Sequence, residues 1–159
     1  MSKSRALPDR LSIDSGVILA YFLGEKLGEL VKLEIFPPKD RTILCNRLCL
    51  SELFYVLCRR KGQAFARVST EMFLKAQYAS VTASDELDMA AGAYKCERAI
   101  SLADCYVLGL ARLEQAAALF ARRERELEKE IERKLLDVRV YFLEDYLNRA
   151  EHGEGSLAS

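Results

Sequence analysis

Histidine is nearly missing from this chain. Of its 159 residues only His152 is one, and it stands in the polar stretch NRAEHGEGSLAS near the C-terminus. A nucleophilic triad needs an imidazole base and a histidine-rich zinc site needs several, so both readings are nearly excluded. His152 itself is expected as a mobile, solvated tail residue. Net charge is missing too, because 24 basic residues balance 24 acidic ones. Without a global positive field, any contact with nucleic acid must be local. The five cysteines, Cys45, Cys49, Cys58, Cys96 and Cys105, form no CxxC pair. Most have apolar neighbours, where a free thiol behaves as a small hydrophobe, so buried thiols are expected. No apolar run reaches membrane-spanning length, and MSKSRALPDR lacks the apolar region of a secretory signal. A cytoplasmic protein with no membrane partner is the expectation.

Apolar residues are plentiful, at 50%. That supports one domain with a substantial core, while the length is too short for two ordinary domains. Residues 1–146 are expected to form the domain and 147–159 a polar tail. Leu11 to Asp14 reads as a short strand. The following GVILAYFLG is apolar on every side, as suits a helix buried against a covered sheet, and Gly24 ends it. EKLGELVKLEIF carries Leu27, Leu30, Val31 and Ile35 at helical spacing until Pro37 and Pro38 stop it. Thr42 to Cys45 predicts a buried strand, Leu48 to Lys61 a helix closed by Gly62, and Gln63 to Tyr78 an antiparallel partner helix. Ser80 to Ala83 is another short strand. Ser84 is placed to cap a helix with Asp85 and Glu86 in its first turn, and the next helix begins near Ser101. Ala117 to Ala121 reads as a strand, RRERELEKEIERK as an amphipathic helix with Leu127, Ile131 and Leu135 on one side, and Val138 to Leu143 as the last strand. This alternation predicts an α/β fold, a three-layer α/β/α sandwich around a mainly parallel sheet.

Four acids stand where the chain passes between strands and helices: Asp14, Glu52, Asp104 and Glu124. Separations of 38, 52 and 20 residues rule out one shared helix, so these acids meet only if the fold gathers element ends. A parallel sheet does that, because the loops at the carboxyl ends of its strands converge on one crevice. Carboxylates crowded there repel one another unless a cation is present. Hard divalent ions such as Mg²⁺ and Mn²⁺ take oxygen ligands, keep several waters and usually act on phosphates, so phosphodiester hydrolysis is the natural reading.

Each acid also has an ordinary explanation. Asp14 can simply cap the helix that follows it. Glu52 near a helix start is favoured by the helix dipole. Ser101 and Asp104 have the spacing of a capping box, although six apolar neighbours around Asp104 make an unpaired charge there costly. Glu124 lies in a run of thirteen residues of which eleven are charged, usually the mark of a solvated helix face. Asp88 is expected to face water. Two basic clusters, Arg59-Arg60-Lys61 and Arg122-Arg123-Arg125, are candidates for contacts with phosphates flanking a scissile bond, against the simpler reading of solvation and pairing with nearby glutamates. Most of Tyr21, Phe22, Phe54, Tyr55, Phe65, Phe73 and Tyr78 are expected in the core, with any surplus available to a symmetric dimer.

The segments IDSGVILAYFLGE, LSELFYVLCRR and ISLADCYVLGLA resemble the acid-bearing segments of PIN domains, specifically the small ribonucleases of the VapC toxin type, and the likeness spans roughly residues 10–143. The resemblance implies a PIN-like fold and a metal-dependent endoribonuclease leaving a 5′-phosphate and a 3′-hydroxyl. Asp14, Glu52 and Asp104 would be catalytic and metal-site carboxylates, with Ser15 close by. Glu124 would be the fourth acid, although many relatives have Asp there, preceded two positions earlier by Thr or Ser where this chain has Arg122. Mg²⁺ or Mn²⁺ as cofactor, RNA as substrate, a small antitoxin as partner and a homodimer are further implications. A PIN-like module that has lost cleavage and binds RNA or protein is the alternative. An aspartyl-phosphate enzyme built on Asp14 is a third reading, disfavoured because Gly16 stands where a second Asp belongs.

Overall fold

The computed structural model describes residues 6–37, 40–133 and 135–147. Pro38, His152 and all but the first residue of the expected tail lie outside them. Twelve elements follow in the predicted order: β1 (Arg10–Ile13), α1 (Ser15–Leu23), α2 (Lys26–Glu34), β2 (Thr42–Asn46), α3 (Leu48–Lys61), α4 (Gln63–Ala76), β3 (Ser80–Thr82), α5 (Asp85–Glu97), α6 (Leu102–Leu113), β4 (Ala117–Phe120), α7 (Arg125–Glu132) and β5 (Val140–Phe142). The strands form one sheet in the order β3-β2-β1-β4-β5, and every pairing is parallel.

Side chains alternate across a strand, so each strand feeds two cores. Leu11, Ile13, Ile43, Cys45, Ala117 and Leu119 face a core shared with α1 to α4. The alternate residues Ala118, Phe120 and Phe142 face a second core with α5, α6 and α7. Leu44 joins Leu87 of α5 and Leu110 of α6 in a smaller third cluster. Helices therefore cover both faces of the sheet, as the apolar strands require. A fully buried Leu or Ile contributes about 1.5–3 kcal/mol against roughly 0–1 for a surface ion pair, so these two cores decide where the strand ends sit.

Helix starts follow local chemistry. Asp14 has extended backbone and caps α1, its carboxylate accepting from the Gly16 N–H. Ser84 caps α5 and Ser101 caps α6 in the same way. Gly24, at φ 66°, closes α1 in the left-handed region that glycine tolerates best. Gly28 lets α2 lie against α1: a Cβ there would stand 2.3 Å from the Ala20 carbonyl oxygen.

Two expectations need correction. The charged run after β4 is not helical from Arg122; α7 begins at Arg125, and Glu124 precedes it with extended backbone. The reason is a distant partner, since the Arg123 N–H is donated to the Glu144 carboxylate at 2.7 Å. Among the cysteines, Cys45, Cys49 and Cys105 are buried, but Cys58 is only partly so and Cys96 is exposed.

From β1 the chain builds β2 and β3 to one side, then returns to place β4 and β5 on the other. Such a reversal opens a crevice beyond the carboxyl ends of the two central strands. Here those strands are β1 and β4, which end beside Asp14 and a few residues before Glu124.

Candidate metal centre

Asp14 follows the last residue of β1, and its N–H donates to the Leu119 carbonyl of β4 at 2.9 Å. The backbone under the carboxylate is thus pinned between the two central strands. Its Oδ2 accepts from the Gly16 N–H at 3.1 Å. A Cβ at Gly16 would stand 2.9 Å from that Oδ2 and 3.1 Å from the Ala121 Cβ, so only glycine lets the start of α1 approach both the acid and the end of β4. Ser15 Oγ donates to Glu52 Oε2 at 2.8 Å and lies 3.5 Å from Asp14 Oδ1. That hydroxyl links the β1 end to α3.

Cys49, Leu53 and Leu57 seat α3 on the core, and Glu52, half-buried beside them, lines the crevice. Asp104 sits in the first turn of α6 and is only 5% exposed. Its N–H donates to Ser101 Oγ at 3.0 Å, and its carboxylate takes hydrogen bonds from the Ser101 backbone and side chain. The capping box is therefore complete with Asp in the acidic place. Glu124 occupies the N-cap position of α7, but its side chain makes no capping hydrogen bond. Asp14, Ser15, Glu52, Asp104 and Glu124 line a single cavity of about 500 Å³.

The electrostatics show crowding. Loss of hydration pushes the Asp14 carboxyl up to about 7, against the pull of the Gly16 N–H and with the repulsion of Asp104, Glu52 and Glu124 adding to the rise. Burial also raises Glu124, helped by repulsion from Asp104, Glu126 and Glu52 and by a hydrogen bond to Asp104. Asp104 is raised by burial, while its bonds to Ser101 and Glu124 oppose the rise. The contact between the two carboxyls raises Glu124 and lowers Asp104, and like-charge crowding of this kind is what a cation relieves.

The donor set suits a hard divalent ion. It is all oxygen, it is open on one side, and its carboxylates repel. Among the described residues no group of three or more His, Cys, Asp or Glu side chains is already placed to hold a metal ion together. Mg²⁺ retains several waters and is usually held through one or two carboxylates plus substrate oxygens, so an open cluster fits it better than a closed cage would.

The two basic clusters meet at one place. Glu25, between α1 and α2, pairs with Arg60 at the end of α3 (3.8 Å) and with Arg122 beyond β4. Arg123 turns away to Asp145 and Glu128 and lies over the Phe142 ring. Asp88 is exposed, as expected, and accepts from the Tyr106 hydroxyl beside a different cavity. One lining residue was missed by sequence reasoning. Tyr55 was grouped with the core aromatics, yet it is 46% exposed and borders the acidic cavity. Its signal was the three-residue step from Glu52, which places both on one helix face.

Comparison with known proteins follows the same lines. The sequence matches the PIN domain family over residues 11–129. No curated protein matches the chain. Among solved structures it is similar to VapBC2 from Rickettsia felis bound to a promoter DNA fragment, at 15% identity and TM-score 0.61, covering 84% of this chain and 97% of that one. VapC20 of Mycobacterium tuberculosis, a sarcin-ricin loop cleaving toxin, is similar at 15% identity and TM-score 0.59 over 76% of this chain and 93% of that one. A toxin-antitoxin complex from Klebsiella pneumoniae is similar at 13% identity and TM-score 0.55, covering 74% and 89%.

Proposed function

The chain belongs to the PIN domain family, and from that premise we propose that it is a metal-dependent endoribonuclease, the toxin of a toxin–antitoxin pair or an RNA-processing nuclease. The observation that carries the reading is the shared cavity of Asp14, Glu52, Asp104 and Glu124, with the Asp14 carboxyl pushed up by burial and by its acidic neighbours. A cluster of this kind is costly without a cation and gains from one.

Asp14, Glu52 and Asp104 would hold Mg²⁺ or Mn²⁺, with Glu124 reaching it through water. When bound, the ion supplies a more acidic water as nucleophile and offsets charge on the phosphate and leaving oxygen. Ser15 orients the Glu52 carboxylate through its 2.8 Å hydrogen bond. Gly16 lets the start of α1 lie close to the Asp14 carboxylate and to Ala121. The Ser101 cap fixes the start of α6, and with it Asp104.

RNA as the substrate is supported by membership of the PIN domain family and by the likeness to a sarcin-ricin loop cleaving toxin, and ends carrying a 5′-phosphate are what the resemblance to the family implies. A small antitoxin partner follows from the likeness to toxin–antitoxin assemblies. A homodimer and a cytoplasmic location complete the reading; no described helix is long and apolar enough to cross a membrane.

The test is cleavage of a mixed structured RNA by the full chain in Mn²⁺, with EDTA and Asp104→Asn as controls and end-labelling of the products. Cleavage lost in both controls, with 5′-phosphate ends, is the expected result. RNA binding without cleavage in any divalent ion would favour a non-catalytic PIN module instead.

A further inference from the structure

Beyond the carboxylates, the side of α3 that bears Glu52 also carries two side chains that the metal reading leaves unused, Tyr55 and Arg59. Glu52, Tyr55 and Arg59 stand at positions i, i+3 and i+7, one above another on the same face. With a rise of 1.5 Å per residue, Tyr55 lies roughly 4.5 Å along the axis from Glu52 and Arg59 roughly 10 Å. The ring of Tyr55 borders the acidic cavity and is 46% exposed. The guanidinium of Arg59 lies over it, 5.0 Å from the centroid, and among the described residues Arg59 has no ion-pair partner. An aromatic face carrying an arginine at the edge of a phosphate-cutting cavity is the arrangement single-stranded nucleic acid uses: rings take the bases and cations follow the backbone.

We propose that Tyr55 is a stacking platform for the nucleobase next to the scissile phosphate, with Arg59 contacting a phosphate that flanks it. This rests on the nuclease reading of the carboxylate cavity. In a chain of zero net charge, Arg59 on the Tyr55 ring supplies local positive charge that the whole molecule lacks. An apolar protein partner fits this rim less well, because the exposed ring is surrounded by cations and carboxylates.

The experiment is a double-mutant cycle on the full chain in EDTA, where hydrolysis is off. Affinity for a fluorescein-labelled octaadenylate RNA is measured by anisotropy, and again for the same octamer carrying one abasic nucleotide at each position in turn. Wild type is expected to lose about tenfold at one abasic position, in line with base–aromatic stacking. Tyr55→Ala should lose about tenfold on the intact octamer and be insensitive to that position, whereas Tyr55→Phe should behave as wild type. The half-exposed ring makes both variants expected to fold. Equal abasic losses in wild type and Tyr55→Ala, or no effect of Tyr55→Ala at all, would overturn the assignment of Tyr55 and leave the nuclease reading intact. Failure of wild type to bind any octamer would bring down both.

Discussion

Replacing Asp14 by Asn should stabilise the metal-free protein, and only above acidic pH. Asn keeps a side-chain oxygen for the Gly16 N–H that now sits at 3.1 Å, so the cap on α1 survives while the charge is removed. In wild type the folded carboxyl titrates at about 7 against 3.8 for an ordinary aspartate. Its folded pKa is the higher one, so the folded state holds the proton more tightly. That contribution to stability is fully present below about pH 4 and is lost as pH rises toward 7. At 1.36 kcal/mol per unit, the loss is on the order of 4 kcal/mol by pH 8. For a chain of this size it corresponds to roughly 8–16 °C in melting temperature. Urea and thermal melts in EDTA between pH 5 and pH 8 read it directly. Asp14→Asn should lie close to wild type near pH 4–5 and increasingly above it toward pH 8. Asp104 and Glu124 also titrate high, but they remain in both proteins, and the comparison isolates Asp14. A variant less stable than wild type at every pH, or a difference that does not move with pH, would refute the reasoning.

Further outcomes follow from the same geometry. Ser15→Ala removes the hydroxyl that holds Glu52 and should lower RNA cleavage about fivefold, the equivalent of one hydrogen bond of about 1 kcal/mol, with urea stability changed much less than for a core substitution; unchanged cleavage would dismiss the link. Gly28→Ala puts a methyl 2.3 Å from the Ala20 carbonyl oxygen, so urea melts should show about 1–3 kcal/mol of lost stability from overpacking α1 against α2. A neutral effect would mean that the two helices separate freely.

The order of elements was legible because nearly every strand is a short apolar run bounded by charge or turn residues, and the caps at Ser84 and Ser101 and the stop at Gly62 announce themselves. Asp14, Glu52 and Asp104 could be singled out because acids amid apolar neighbours conflict with the core around them. Glu124 was harder. In RRERELEKEIERK a helical face and an extended entry look alike, and what decides between them is Glu144, twenty residues on, accepting the Arg123 N–H. Tyr55 was missed for a related reason: in LSELFYVL several apolar positions compete for the core, and only the rotation of α3 shows that Leu53 and Leu57 are buried while Tyr55 is not. The role of Glu25 in joining Arg60 to Arg122 was out of reach, since pairings between surface side chains distant in sequence leave no periodic trace.

If the four carboxylates form one site for a divalent cation, Mn²⁺ titrated into the full chain at pH 8 and followed by electron paramagnetic resonance reads it without knowledge of the RNA. Wild type is expected to bind specifically, and binding is expected to be lost in both Asp14→Asn and Asp104→Asn, two acids that reach the cavity from separate elements. Unchanged binding in either variant, or no specific binding by wild type even with octaadenylate RNA present, would contradict the shared site.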